Sequence, residues 1–263
     1  FLLSVGFLKP HLPFNAPLKY WDLYEKKDIQ LAKNRFQPEN TPKIAMHHYA
    51  ELRKYLNIPN DKSVEIPDST QLKLIHGYYA CISFVDDQIG RLVSKLKELD
   101  LYNDAIIVFV GDHGWQLGEH NLWAKHCNFQ TSLKVPLLIK YPNQTETKKI
   151  KSVVELVDIF PTLCDISNLD YPKHLQGKSL TSVNKKDNSN TIGFSRYKKG
   201  TTITTSNYSY TMWKNENNEL LGQMLFDLKR DKDENISIAI DSTYKQLINS
   251  FNISIDSINK VSL

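Results

Sequence analysis

Residues 105–114 read Ala-Ile-Ile-Val-Phe-Val-Gly-Asp-His-Gly, an apolar run that ends in two ionisable side chains between glycines. A continuous apolar run rich in β-branched residues is typical of a fully buried strand in a parallel sheet. In an open α/β sheet, the loops that leave the carboxyl ends of the strands line the ligand crevice. The loop at Gly111–Gly114 leaves such an end. We therefore expect Asp112 and His113 to face a functional site.

The segments on either side of this stretch complete an α/β pattern. Upstream, apolar residues recur at steps of three and four over residues 72–99, which predicts one long helix with an apolar stripe. Asp68-Ser69 is expected to cap that helix. Downstream, residues 135–140 predict another strand, and a further helix is expected near residues 157–163. The predicted fold class is α/β, with a mainly parallel sheet flanked by helices.

The front of the chain carries an apolar run, Phe1–Phe7, and no initiator methionine. Such a run is typical of a strand buried in a sheet, and a buried strand needs neighbours. We therefore expect this chain to be the distal part of a longer protein, so that motifs absent here would lie upstream.

A polar stretch at residues 181–190 predicts a linker to a second unit. The segments after it are short and rich in Thr, Tyr and Ile, which favours an antiparallel sheet; they are residues 191–197, 201–206, 208–214 and 224–228. A closing helix is expected at residues 237–251. The predicted domains are residues 1–183, the α/β part, and residues 188–263, a small antiparallel-sheet subdomain.

The composition argues against several classes of protein. The chain has 263 residues, of which 33 are basic and 29 acidic, and its formal charge is only +4. Because these charges are dispersed, they favour neither a nucleic acid partner nor an anionic membrane. No apolar window reaches the ~18 residues that a membrane-spanning helix requires. The three cysteines, Cys81, Cys127 and Cys164, are odd in number and widely spaced, which argues against a disulfide framework and a cysteine-based zinc site.

Asp112 and His113 are candidate metal ligands. A carboxylate oxygen and an imidazole nitrogen on adjacent residues can reach one divalent cation, and the flanking glycines let the backbone turn closely around it. The alternative is that Asp112 caps the following turn and His113 is an ordinary surface histidine. The dipeptide by itself leaves both interpretations open.

A series of motifs, in order along nearly the whole chain, resembles the sulfatase family of the alkaline phosphatase superfamily, most closely the iduronate 2-sulfatases. The motifs are VGFLKPHLPF, SFVDDQIGRL, GDHGWQLGEH, WAKHCNF, VPLLI, VELVDIFPTL, QGKSL, YSYTMW and LFDLKRDKDEN. The ordered series is specific, whereas its Asp-His-Gly alone is not.

The resemblance implies roles for four residues, and two tryptophans are further candidates beside them. Asp112 and His113 would hold a divalent metal, generally calcium, a hard cation that suits oxygen ligands. Lys125 would contact the sulfate and offset charge as the S–O bond breaks, and His11 would bond the bridging oxygen or protonate the leaving alcohol. Trp115 and Trp123 would wall the substrate pocket. The alternatives are a solvated lysine, a histidine packed among prolines, and tryptophans that belong to the core.

The activity implied by the resemblance is hydrolysis of a sulfate half-ester, with the 2-sulfate of a uronic acid in heparan or dermatan sulfate as substrate. The implied setting is lysosomal or secretory in a eukaryote, and periplasmic or extracellular in a bacterium. The family's nucleophile is a cysteine in a Cys-x-(Pro/Ala)-x-Arg setting, oxidised to formylglycine, and no cysteine here has that setting. A missing upstream half is therefore expected to supply the formylglycine and the amino-terminal acidic metal ligands, and this chain alone is expected to be inactive.

Two other functions stay open. One is a catalytically inert, sulfatase-like module that binds sulfated glycans. The other is a zinc phosphodiesterase of the same superfamily, for which His113, His120 and His126 are candidate ligands. The presence of Lys125 argues against the phosphodiesterase, since that group lacks it.

Overall fold

The computed structural model describes residues 1–47, 49–182 and 191–261. They form two compact units, each assembled from separate stretches of chain. The first unit comprises residues 1–36, 47–105 and 115–124, and the second comprises residues 37–46, 106–114 and the chain from 125 onward. Most of the predicted linker at residues 181–190, namely residues 183–190, lies outside the described residues, so the division into residues 1–183 and 188–263 stays a prediction.

The first unit is built on a long helix, α2, Asp68–Glu98, which confirms the predicted helix. A short helix, α1, Leu18–Trp21, packs against it. Asp68 does not cap α2, because it already lies inside the first turn and the cap position is Pro67, which has no side-chain hydrogen bond. Its carboxylate instead accepts a hydrogen bond of 2.6 Å from Arg35. The predicted cap was therefore wrong.

The core of the first unit gathers around the first half of α2, whose buried residues lie between Gln71 and Cys81. A two-stranded hairpin belongs to the same unit and consists of β2, Gln116–Leu117, and β3, Trp123–Ala124. Apolar side chains from widely separated parts of the sequence complete the core: Leu12, Phe14, Ile29, Tyr49, Leu52, Ile58 and Ile66.

The opening run, Phe1–Phe7, has no regular secondary structure, and the side chain of Phe1 is 92% exposed. The expectation of a buried strand was wrong. A strand is stabilised by hydrogen bonds and side-chain pairs with a neighbouring strand, and among the described residues no strand pairs with this run. Apolar composition alone does not supply the partner.

The apolar run before Asp112 forms a strand, β1, Ile107–Val110. It pairs with β4, Leu137–Lys140, as an antiparallel ladder with Val108 opposite Ile139. The positions of both strands agree with the prediction, but the fully buried, parallel arrangement of β1 was wrong. Phe109 is 38% exposed and the pairing is antiparallel. An apolar run predicts that a strand forms, but it does not encode the direction of its partner.

The second unit continues with two helices. The short helix α3, Gln130–Leu133, precedes β4. The helix α4, Ile159–Ile166, confirms the helix expected near residues 157–163, and a 3-10 turn, Leu156–Asp158, leads into it.

Hydrogen bonds connect the turn before α4 to a distant segment. The carboxylate of Asp158 accepts the backbone N–H of Glu155 at 2.9 Å and that of Lys178 at 2.8 Å. The hydroxyl of Thr162 accepts the backbone N–H of Leu180 at 2.8 Å. The motifs VELVDIFPTL and QGKSL are therefore the two sides of one contact.

The last part of the second unit is a four-stranded antiparallel sheet in sequence order, as predicted. Its strands are β5, Gly193–Tyr197, β6, Gly200–Thr204, β7, Tyr208–Lys214, and β8, Leu220–Asp227. The helix α5, Lys245–Val261, packs apolar side chains such as Ile248, Phe251 and Ile255 into the same core as one face of this sheet. It begins eight residues later than expected. Within the described part of the chain, no helix has the length and apolar character needed to cross a bilayer.

Candidate active site

Asp112 and His113 follow directly on β1, in the second unit. The Oδ2 atom of Asp112 lies 3.6 Å from Nε2 of His113, and the Asp112 side chain is 89% exposed. The Nδ1 atom of His113 is 2.8 Å from the carbonyl oxygen of Gly114. Since a carbonyl only accepts, Nδ1 donates, and in the neutral ring Nε2 keeps the lone pair beside the carboxylate.

This pair fits two positions of a calcium site. An oxygen and a nitrogen 3.6 Å apart can both bind one cation at the ~2.3–2.6 Å that Ca²⁺ prefers. Calcium takes about 6–8 ligands, and among the described residues no group of three or more His, Cys, Asp and Glu side chains could hold a metal. A calcium ion at this pair would need further ligands from waters, backbone oxygens or residues beyond this set.

The same finding argues against a zinc site made from the three histidines noted in the sequence. His120 is buried in the first unit, whereas His113 belongs to the second. His126 stacks on Tyr197, with ring centroids 5.7 Å apart.

Gly114 fixes the pair against α3. Its backbone N–H donates to the carbonyl of Ser132 at 2.8 Å. A Cβ atom at this position would overlap the backbone carbonyl oxygen of Thr131. The glycine after His113 is therefore required for close backbone packing, and Asp112 and His113 are held at a set position beside α3.

Lys125 follows β3 immediately and belongs to the second unit. Its carbonyl accepts the backbone N–H of Cys127 at 2.9 Å. The preceding residue, Ala124, has φ +71°, a left-handed conformation that is strained for a residue with a Cβ. Local strain of this kind is characteristic of functional sites. Lys125 lies in the same unit as Asp112 and His113, and its convergence on them stays a prediction.

His11 lies in the first unit, where it is held by more than packing. Its Nδ1 is 2.8 Å from the carbonyl oxygen of Leu12, and its Nε2 is 3.0 Å from Oε1 of Glu51. Its ring meets Trp115 edge-on, with centroids 5.4 Å apart. Glu51 could not be predicted from the sequence, because 40 positions separate it from His11 and no motif contains it. The membership of His11 in the active site stays a prediction.

The two tryptophans differ in their placement. Trp115 is partly buried and, besides His11, contacts Phe14 and Tyr78 at centroid distances of 6.0 and 6.2 Å. Burial raises the pKa of Tyr78 to about 12. Trp123 is 2% exposed and lies within the core of the first unit. The structure therefore favours the core interpretation for Trp123 over a wall of the substrate pocket.

Two of the three cysteines are poorly placed to react as thiolates. Cys81 and Cys127 are both buried. Burial raises the pKa of Cys81, which disfavours the reactive thiolate. The Sγ atom of Cys127 is 3.1 Å from the hydroxyl of Ser132.

Comparison with known proteins gives matches along the whole chain. The sequence matches the Sulfatase family over residues 1–169, and the family described as N-sulphoglucosamine sulphohydrolase, C-terminal, over residues 118–260. Iduronate 2-sulfatase of Homo sapiens is 35% identical over 202 residues, which are 65% of this chain and 36% of the human protein. A sulfatase of Formosa agariphila is 31% identical over 254 residues, which are 94% of this chain and 48% of that protein. The chain thus spans between a third and a half of the length of these relatives.

A solved structure supports the fold assignment. The phosphonate monoester hydrolase SpPMH from Silicibacter pomeroyi matches 97% of this chain and 55% of its own, with a TM-score of 0.77 and 20% sequence identity. At this identity the likeness concerns the fold alone. It confirms the predicted fold class, an alkaline-phosphatase-like α/β fold with a small antiparallel sheet near the carboxyl terminus.

Proposed function

Because the chain belongs to the sulfatase family, we propose that the natural protein hydrolyses sulfate half-esters. The observation that carries the proposal is the Asp112–His113 pair. Its oxygen and nitrogen stand 3.6 Å apart directly after β1, inside the region that matches the family. This arrangement suits a cation that binds an anionic ester.

Two further side chains of this chain, Lys125 and His11, take part in the proposed chemistry. The ammonium of Lys125 binds a sulfate oxygen and offsets the negative charge that develops as the S–O bond breaks. The Nε2 atom of His11, which lies 3.0 Å from Oε1 of Glu51, contacts the bridging oxygen of the ester. From there it donates a proton to the leaving oxygen, which departs as a neutral alcohol.

Asp112 and His113 would hold calcium together with ligands from elsewhere in the protein. When bound, the cation would supply positive charge that polarises the sulfate. The tautomer that the Gly114 carbonyl favours for His113 leaves Nε2 as the ligand atom.

We place the nucleophile, a formylglycine, in a part of the natural protein that these 263 residues do not include. None of Cys81, Cys127 and Cys164 stands in the Cys-x-(Pro/Ala)-x-Arg setting, and the first two are buried. The chain alone is therefore expected to release no sulfate, because water lacks the covalent route that divides the reaction into two easier steps.

The proposed substrate is the 2-sulfate of iduronate in heparan or dermatan sulfate or their oligosaccharides. Support comes from the motif series and from the similarity to a protein named iduronate 2-sulfatase. A lysosomal or secretory setting, or a periplasmic or extracellular one in a bacterium, belongs to the same proposal.

The test is sulfate release by the natural protein, measured by ion chromatography with calcium present. The substrates are a uronate 2-sulfate disaccharide, an aryl sulfate and an aryl phosphodiester. We expect release from the disaccharide, and a loss of roughly 10²–10³ in kcat for Lys125→Ala, the usual cost of removing one charge-stabilising group. Lys134→Ala, an exposed lysine on the same segment, is the matched control and should leave kcat unchanged.

Two outcomes favour the alternatives. Cleavage of the phosphodiester without sulfate release would support the phosphodiesterase. Retention on a sulfated glycan column that fades with rising salt, without any release, would support the inert binding module, since screened charge contacts would then account for the binding.

A further inference from the structure

Glu234 lies in the LFDLKRDKDEN motif and is a buried carboxylate outside the proposed chemistry. It is 2% exposed, and its backbone has φ +56°, a conformation that surrounding contacts must enforce. Its Oε2 accepts the backbone N–H of Gln130 at 2.7 Å, and it also has a hydrogen bond with the side chain of Ser209. Its Oε1 has no hydrogen-bond partner among the described residues.

The contact with Gln130 places this carboxylate at the first residue of α3. Both parts of the proposed site, the Asp112–His113 pair and Lys125, are connected to that short helix. On one side, Gly114 donates to the carbonyl of Ser132 and packs on Thr131 without room for a side chain. On the other side, only three residues separate Lys125 from Phe129, the residue that precedes α3.

The residues just before α3 are bound to the antiparallel sheet. The amide of Asn128 donates to the Gly200 carbonyl at 3.3 Å and to the Thr202 hydroxyl at 3.1 Å. The buried ring of Phe129 packs against Phe226, with centroids 6.1 Å apart. The segment between Lys125 and α3 therefore has few ways to move independently of the sheet. Glu234 adds a further contact, to the backbone N–H of Gln130 at the start of α3.

We propose that Glu234 is a positioning residue of the active site. By binding the first N–H of α3 it holds the helix, and the helix holds Lys125 and the Asp112–His113 pair in their relative positions. The inference rests on the proposed function and deepens it by giving the small antiparallel sheet a role in catalysis. Glu234 itself touches no group that we assign to substrate or metal.

The experiment compares three variants of the natural protein. Glu234→Ala removes the acceptor, Glu234→Gln keeps an amide oxygen that can accept the same N–H, and Glu216→Ala removes a glutamate whose side chain is exposed. We expect Glu234→Ala to lower kcat for sulfate release about tenfold with KM changed less than about twofold, because the lost contact acts on the reacting geometry. Glu234→Gln should recover most of kcat, and Glu216→Ala should match the wild type.

Hydrogen exchange measured by mass spectrometry provides a readout independent of turnover. Glu234→Ala should speed exchange in peptides that cover residues 127–134 and leave α5 protected. Unchanged exchange in residues 127–134 would overturn the inference. So would a lower melting temperature with unchanged kcat, which is the behaviour of a structural residue alone.

A second pair of variants covers the case in which Glu234→Ala does not fold. Gln130→Ala removes only the side chain, whereas Gln130→Pro also removes the N–H that Glu234 receives. Proline is accepted at the first position of a helix, and the extended backbone of Phe129, with φ −88° and ψ 153°, suits a residue before proline. Faster exchange in Gln130→Pro than in Gln130→Ala supports the inference, and equal exchange contradicts it. Absence of sulfate release in the wild type would instead refute the proposed function, and the exchange data would still decide the role of Glu234 in fixing α3.

Discussion

Replacing Asp158 by alanine should destabilise the second unit strongly. The Asp158 carboxylate is buried and accepts two backbone N–H groups, those of Glu155 at 2.9 Å and Lys178 at 2.8 Å. Alanine would leave both partly buried donors without this acceptor, and each unsatisfied donor costs about 1–3 kcal/mol. The expected loss in the free energy of unfolding is therefore about 4 kcal/mol. In a chain of this size each kcal/mol lowers the melting temperature by roughly 2–4 °C, so a decrease of roughly 8–16 °C is expected.

Differential scanning calorimetry of the 263-residue chain measures this change. Asp158→Asn should be intermediate, because its amide oxygen can accept one N–H while its NH₂ group meets the other donor. Asp170→Ala, at an exposed position after α4, is the matched control and should stay within about 0.5 kcal/mol of the wild type. A decrease for Asp158→Ala of less than about 2 °C, equivalent to under 1 kcal/mol, would refute the reasoning that the two motifs are joined through this carboxylate.

Three further predictions concern a buried arginine, a closely packed glycine and a buried glutamate. Arg53 is buried and its guanidinium donates to the carbonyls of Asp61 and Val64. The lysine in Arg53→Lys cannot reach both carbonyls, so the substitution should lower the free energy of unfolding of the first unit by about 2–4 kcal/mol. It should also speed trypsin cleavage at residues 57–64. Gly114→Ala should lower the melting temperature and weaken calcium binding measured by titration calorimetry, because its Cβ would overlap a backbone carbonyl of α3; unchanged calcium affinity would contradict this. Burial raises the pKa of Glu234 from its usual 4.5 to about 7, so the folded state binds the proton more tightly than the unfolded state. The free energy of unfolding should therefore fall by about 3 kcal/mol as pH rises from 4.5 to 7. Glu234→Gln should remove that part of the pH dependence in urea unfolding, and a wild-type slope in the variant would disprove the assignment.

The elements predicted correctly from the sequence are those whose signal is local. The helix α2 follows from apolar residues at steps of three and four, and β5 to β8 follow from short segments rich in Thr and Tyr between turns. Where the structure depends on a distant partner, the sequence failed. The run Phe1–Phe7 was expected to be a strand but pairs with none among the described residues, and β1 pairs antiparallel with β4 rather than parallel.

In the candidate site, too, local features were predictable from the sequence and contacts with distant residues were not. Asp112 and His113 were predicted because a strand end, two ionisable residues and flanking glycines are adjacent in the sequence. Glu234 escaped prediction, since 104 positions separate it from Gln130 and an acidic residue in a charged motif is normally a solvated one. Trp123 was expected to wall the pocket, with a core position as the alternative, and its ring lies in the core of the first unit.

The most direct test of the central claim, a cation-dependent sulfatase site at Asp112 and His113, is sulfate release as a function of calcium. The natural protein is treated with a chelator and then titrated with calcium on a uronate 2-sulfate disaccharide, alongside Asp112→Ala. We expect chelation to abolish release and calcium to restore it. The variant should need at least about tenfold more calcium for half-maximal release, a loss of about 1.4 kcal/mol in binding. Release that survives chelation equally in both proteins, or no release from the wild type at saturating calcium, would contradict a cation-dependent site at Asp112 and His113.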